Sequence, residues 1–213
     1  HVWLQEGFAT WSEAYWKEMT EGADTYHQYM DAVAYFGPGT IIVEDPYNDN
    51  IFSTNLSYNK ASWVAHMLRG VIGDEDFFAG LAAYRAAYEY GSATTEQFRD
   101  AFEAVSGQDL DAFFQQWIYG EYFPVYRLDW EQQPDNTIAL TIEQIQTNAG
   151  LFTMPIRLRA ITSQGDVDFV VQNDQASQQY VLGPVAGDVQ AVLLDPDKWI
   201  LRQVETTVGN PTF

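Results

Sequence analysis

The sequence predicts an α+β protein, with an all-helical lobe over residues 1–123 followed by a small antiparallel β-sandwich over 124–205. Three observations predict it. Up to about residue 120 apolar residues recur at helical spacing. After Pro124 the chain breaks into short segments rich in Val, Ile, Leu and aromatics, several of them alternating with period two. Turn residues separate these segments at the intervals a sandwich needs. Residues 206–213 read as a tail.

The helices follow in order. Residues 5–21 place Phe8, Trp11, Tyr15 and Trp16 at helical spacing, with Gly22 as the C-cap. Asp24 is the expected cap of a second helix reaching Phe36, stopped by Gly37-Pro38-Gly39. Residues 40–56 are irregular, with Asp45-Pro46 and Asn48-Asp49-Asn50 as turn signals. A third helix runs from about Tyr58 to Val71, and Asp74 is the expected cap of a fourth with Phe77, Phe78, Leu81 and Tyr84 on its apolar face. Thr94-x-x-Gln97 is a capping box for a fifth that closes at Gly107. Asp109 opens a sixth ending near Tyr119-Gly120.

Seven strands are expected at 125–131, 137–145, 154–162, 166–172, 178–182, 189–194 and 199–204. Thr137 to Ile142 and Ile156 to Ile161 show the alternation most clearly, and Asp135-Asn136, Gln164-Gly165-Asp166 and Asp195-Pro196-Asp197 supply turns.

Composition bounds the function. Hydrophobic residues at 46% exclude a disordered chain, and no apolar run approaches the roughly 20 residues of a membrane span. Thirty Asp and Glu against ten Lys and Arg leave a net charge of −20, which argues against nucleic acid and anionic membranes as partners. Only Lys17, Lys60 and Lys198 are lysines. Such an acidic, lysine-poor surface suits a salt-rich setting, where ions screen self-repulsion. An extracytoplasmic location, periplasmic or secreted, is the accompanying expectation. No cysteine is present, so neither a disulfide framework nor a thiolate metal site exists.

Three segments carry the functional reading. In Trp3-Leu4-Gln5-Glu6-Gly7-Phe8-Ala9 a carboxylate lies in the first turn of a helix, followed by small residues that let another element approach closely. The segment resembles the Trp-Leu-Asn-Glu-Gly-Phe-Ala signature of the gluzincin zinc aminopeptidases, relatives of alanyl aminopeptidase and leukotriene hydrolase. Gln5 replaces the usual Asn. Ser57-Tyr58-Asn59-Lys60-Ala61 resembles the same family's Tyr-Glu-Lys-Gly-Ala stretch, with Asn59 and Ala61 departing from the commoner Glu and Gly. From Gly73-Asp74-Glu75-Asp76-Phe77 through Thr94-Thr95-Glu96-Gln97-Phe98 to Ser106-Gly107-Gln108-Asp109-Leu110 and Phe113-Phe114-Gln115-Gln116-Trp117, order and spacing follow the family's later helices. Leu194-Asp195-Pro196-Asp197-Lys198-Trp199 looks like part of the sandwich domain that follows its catalytic domain.

The resemblance implies a zinc metallo-aminopeptidase that hydrolyses N-terminal residues from peptides. It implies Glu6 as a metal ligand and Tyr58 as the catalytic hydroxyl that stabilises the tetrahedral intermediate. Glu13, two turns down the same helix face as Glu6, is implied as a carboxylate supporting the metal site. Alone, a first-turn glutamate would signify only a favourable charge at the helix N-terminus, and a lone tyrosine only packing. The flanking residues decide for chemistry.

The family's H-E-x-x-H helix, which supplies two histidine ligands and the general base, lies about eighteen residues before the third ligand. His1, His27 and His66 include no i, i+4 pair, and His66 amid Val64 and Met67 reads as a core histidine. The expectation is a fragment that binds no zinc by itself, is inactive alone, and is completed by the missing N-terminal part of the same protein. A non-catalytic relative acting as a protein-binding scaffold is the alternative. A third reading, a carbohydrate-binding sandwich, rests on Trp130 and Trp199 as sugar-stacking residues.

Overall fold

In the computed structural model, which describes residues 1–205, two glycines set the course of the first helices. Gly22 (φ 101°, ψ 170°) ends α1 (Trp3–Glu21) and starts α2 (Ala23–Ala32). Gly73 (φ 84°, ψ 163°) does the same between α3 (Ala61–Ile72) and α4 (Asp74–Tyr88). These conformations favour glycine, and they place the glycine itself at the N-cap. Asp24 and Asp74 therefore fall inside the first turn and cap nothing, a correction to the sequence reading. Asp74 instead bonds Arg69.

The second helix also ends earlier than expected, at Ala32 rather than Phe36, with Val33 as its C-cap. After irregular residues a π-helix, Thr54–Lys60, leads directly into α3. Helix α5 (Thr95–Ser106) carries the complete Thr94–Gln97 capping box and closes on Gly107 in the left-handed conformation. Helix α6 (Asp111–Phe114) starts two residues later than expected, because the Asp109 carboxylate accepts the Asp111 N–H as a local turn. A second π-helix, Gln115–Tyr119, follows it.

Helix α3 is the spine of this unit, which spans His1–Tyr122. Every residue from Ala61 to Arg69 is buried, which accounts for its nearly unbroken apolar sequence. Its buried polar groups are paired. Ser62 Oγ donates to Asn59 O (2.7 Å), His66 Nδ1 lies 2.6 Å from the Tyr26 hydroxyl, and Arg69 bonds Glu18 at 2.6 Å. The Tyr26 hydroxyl also accepts from Trp11 Nε1, and burial pushes its pKa up to about 12.

The second unit begins at Phe123. One sheet has the order β5-β2-β1-β7 and the other β4-β3-β6, with strands β1 Val125–Gln132, β2 Ile138–Gln144, β3 Met154–Thr162, β4 Gly165–Asn173, β5 Ser177–Leu182, β6 Val189–Leu194 and β7 Gln203–Glu205. Alternate residues Ile138, Leu140 and Ile142 of β2 and Met154, Ile156, Leu158 and Ala160 of β3 are buried, the signature of one face turned to a core. Among the described residues the strand pairings are antiparallel except β1 with β7, which is parallel. The expected strand at 199–204 is reduced to three residues. The buried Asp195 carboxylate accepts the N–H groups of Trp199 (2.8 Å) and Ile200 (3.0 Å) and holds the preceding residues in a turn. The expected tail, 206–213, lies outside the described residues.

Candidate functional site

Gly7 decides where the site forms. A Cβ on Gly7 would stand 2.6 Å from the Ala61 Cβ and 2.9 Å from the Ala61 carbonyl carbon, so α1 meets the start of α3 nearly backbone to backbone. Only glycine allows that approach. It sets the first turn of α1, which carries Glu6, beside the π-helix that carries Tyr58. Both side chains remain partly exposed.

The structure brings Glu6 and Tyr58 together. Partial desolvation, then the charge and acceptor oxygens of Glu6, raise the Tyr58 pKa above its ordinary value. The phenol thus keeps its proton through the neutral range, as a hydrogen-bond donor must. π-Helices are rare and recur at functional sites.

Glu13 is engaged with α2. It accepts a 2.5 Å hydrogen bond from the Tyr29 hydroxyl of α2. Burial and the Glu13 carboxylate push the Tyr29 pKa up to about 12.

His1 sits at the opening of α1, where its Nδ1 accepts from the Thr95 N–H (3.2 Å) and lies 2.8 Å from Thr95 Oγ1. Trp3 Nε1 donates to the same hydroxyl at 2.9 Å. An Nδ1 that accepts leaves the ring proton on Nε2. These bonds fasten the start of α1 to the first turn of α5.

Lys60 is the residue that sequence reasoning left without a role. It is 1% exposed, and its ammonium donates to Gly39 O (3.0 Å) and Gly120 O (3.2 Å). Burial lowers its pKa to about 8, against the opposing charge of Glu121. The only signals in the sequence were the scarcity of lysine and its place inside the Tyr58 segment.

Residues 1–117 match the family described as the peptidase family M1 domain. The chain belongs to peptidase family M1. The M1 chain is 26% identical over 186 residues to tricorn protease-interacting factor F2 of Thermoplasma volcanium, an alignment covering 81% of this chain and 23% of that protein. It is 30% identical over 162 residues to aminopeptidase N of Lactococcus lactis subsp. cremoris, covering 70% of this chain and 19% of that protein. The fold matches the crystal structure of Legionella pneumophila aminopeptidase A in complex with aspartic acid, with a TM-score of 0.83, 18% identity, and coverage of 98% of this chain and 24% of that one. The chain therefore spans about a fifth to a quarter of the length of these relatives.

A catalytic zinc takes three protein ligands as a rule. Among the described residues the M1 chain sets only Glu103, Asp109 and Asp111 within metal-sharing distance of one another, and Glu6 is not among them. Those three carboxylates already serve the Leu110 N–H, the Asp111 N–H and Arg99. His1 Nδ1 is engaged by Thr95 and His66 Nδ1 by Tyr26. Among the described residues, then, no set of three such donors that includes Glu6 converges. Nor is any helix among the described residues long and apolar enough to cross a membrane.

Proposed function

We propose that this chain supplies two working groups to a zinc aminopeptidase: Glu6 as one metal-binding carboxylate and Tyr58 as the donor to the oxyanion formed at the scissile carbonyl. The remaining metal ligands and the general base come from outside these residues, since the sequence holds no H-E-x-x-H. The chain alone is then inactive, and its substrates in the complete protein are peptides cut at the N-terminus. The observation that carries this reading is the meeting of Glu6 and Tyr58, brought from separate elements by the Gly7–Ala61 contact. A protonated phenol held beside a carboxylate is poised to donate where negative charge develops, and one such preorganised donor is worth roughly 2.7–4 kcal/mol in the transition state. The sugar-binding reading finds less support, since Arg157 already lies over the Trp199 ring, 4.7 Å from its centroid.

The test is a pair of substitutions in the full-length protein, assayed on a panel of amino-acid p-nitroanilides. Tyr58→Phe lowers kcat on the order of 10²–10³-fold with KM and zinc content little changed. Glu6→Gln lowers the zinc retained after dialysis, because a neutral amide replaces a charged ligand. A Tyr58→Phe enzyme within a few-fold of the parent, together with full zinc retention in Glu6→Gln, would return both residues to packing roles, whereas a parent without aminopeptidase activity would leave the scaffold reading.

A further inference from the structure

Lys60, in the last turn of the π-helix, closes a ring of hydrogen bonds. Its ammonium binds Gly39 O and Gly120 O, while the Gly39 N–H donates to Glu121 Oε2 at 2.8 Å. Gly39 (φ +106°) also lies against the π-helix itself, where a Cβ would meet Leu56 Cδ1 at 2.8 Å. Next to it the Ile41 N–H donates to Ile118 O at 3.3 Å. Residues 39–41 are thus laced to 118–121 on one side and to the π-helix on the other, and Lys60 is the side chain that joins all three.

Stability alone does not explain a lysine here. Taking an ammonium out of water is costly, and an apolar side chain of similar volume commonly serves a buried position as well or better. What the ammonium adds is direction: two carbonyls from distant segments must converge on one nitrogen, which fixes the end of the π-helix. Tyr58 precedes Lys60 by two residues, under half a turn of a helix bonded i→i+5. The phenol accordingly leaves toward Glu6 while the ammonium leaves toward Gly39 and Gly120.

We infer that Lys60 is a positioning residue for Tyr58: by binding the carbonyls of Gly39 and Gly120 it holds the π-helix in the register that aims the phenol at the Glu6 side. The catalytic consequence rests on the reading of Tyr58 given above; the positional claim does not. Two anchors then set the phenol, Ala61 against Gly7 ahead of it in the chain and the Lys60 clasp between them.

The experiment uses the full-length protein labelled with 3-fluorotyrosine, the Tyr58 fluorine signal being assigned by its loss in Tyr58→Phe. Lys60→Met is expected to shift or broaden that signal, leave the other tyrosine signals in place, and lower kcat about 10- to 100-fold with KM changed less than about twofold. A Tyr58 signal at its parental position in folded Lys60→Met overturns the inference, whatever happens to the melting temperature. Should Lys60→Met not fold, Glu121→Ala removes the exposed acceptor of the Gly39 N–H instead. It is expected to shift the same signal by a smaller amount, and an unmoved signal again overturns the inference. A parent without aminopeptidase activity would defeat the functional reading alone, and the fluorine signal would still decide the role of Lys60.

Discussion

Gly7 and Ala61 stand so close that a methyl group added to Gly7 would lie 2.6 Å from the Ala61 side chain and 2.9 Å from its carbonyl carbon. The nearest atoms belong partly to backbone, which cannot rotate aside as a side-chain tip can. This one contact brings the Glu6 turn to the Tyr58 turn. The position is therefore both a packing constraint and the reason a site exists between two helices.

Gly7→Ala is expected to destabilise the protein. Overpacking at a tight contact costs typically 1–3 kcal/mol, and replacing a helical glycine by alanine returns about 1 kcal/mol. The net loss should be on the order of 1 kcal/mol in urea unfolding followed by the helical circular dichroism signal. A neutral or stabilised variant would show that α1 and α3 separate without cost, and the packing account of the site would fail.

Local signals were the legible part of this fold. Thr94 and Gln97 form their capping box because it depends on four neighbouring residues, and the strand alternation in Ile138 to Ile142 reads directly as buried and half-buried faces. The misreadings came from competition between equally local rules. At Asp24 and Asp74 a preceding glycine took the N-cap, and at 199–204 the Asp195 carboxylate captured backbone N–H groups a strand would have used. The π-helix under Tyr58 was read as an ordinary helix start, since the two share a residue pattern. The candidate site divides in the same way. Glu6 and Tyr58 stand in recognisable segments, but their meeting depends on a long-range contact. The Lys60 clasp was not legible, because its partners are the carbonyls of Gly39 and Gly120, and a carbonyl has no residue type.

The acidic composition predicts a salt response. With a formal charge of −20 and only ten Lys and Arg, repulsion among carboxylates is denser in the folded chain than in the expanded one. Screening by sodium chloride from low concentration to about 1 M should raise the melting temperature. A flat or falling melting temperature would reject the salt-adapted reading of this surface.

The buried amine of Lys60 predicts how stability changes with pH, and the sign follows from its lowered pKa. In the folded chain the proton leaves near pH 8, while in the unfolded chain it stays until about 10.4. Below about pH 8 both states hold it, and stability does not depend on pH through this group. Between those values the unfolded state binds more protons, so stability rises with pH. The window should be read below pH 10, because Tyr26, Tyr29 and Tyr119, all pushed up to about 12, act with the opposite sign above it. From pH 8 to about 9.5 the rise should be roughly 1–2 kcal/mol, since each pKa unit corresponds to about 1.36 kcal/mol. Lys60→Met removes the titrating group, so the stability difference between parent and variant in urea unfolding should grow by that amount across the window. A difference that stays constant from pH 7 to 9.5 would mean that the ammonium is hydrated and titrates as an ordinary surface lysine.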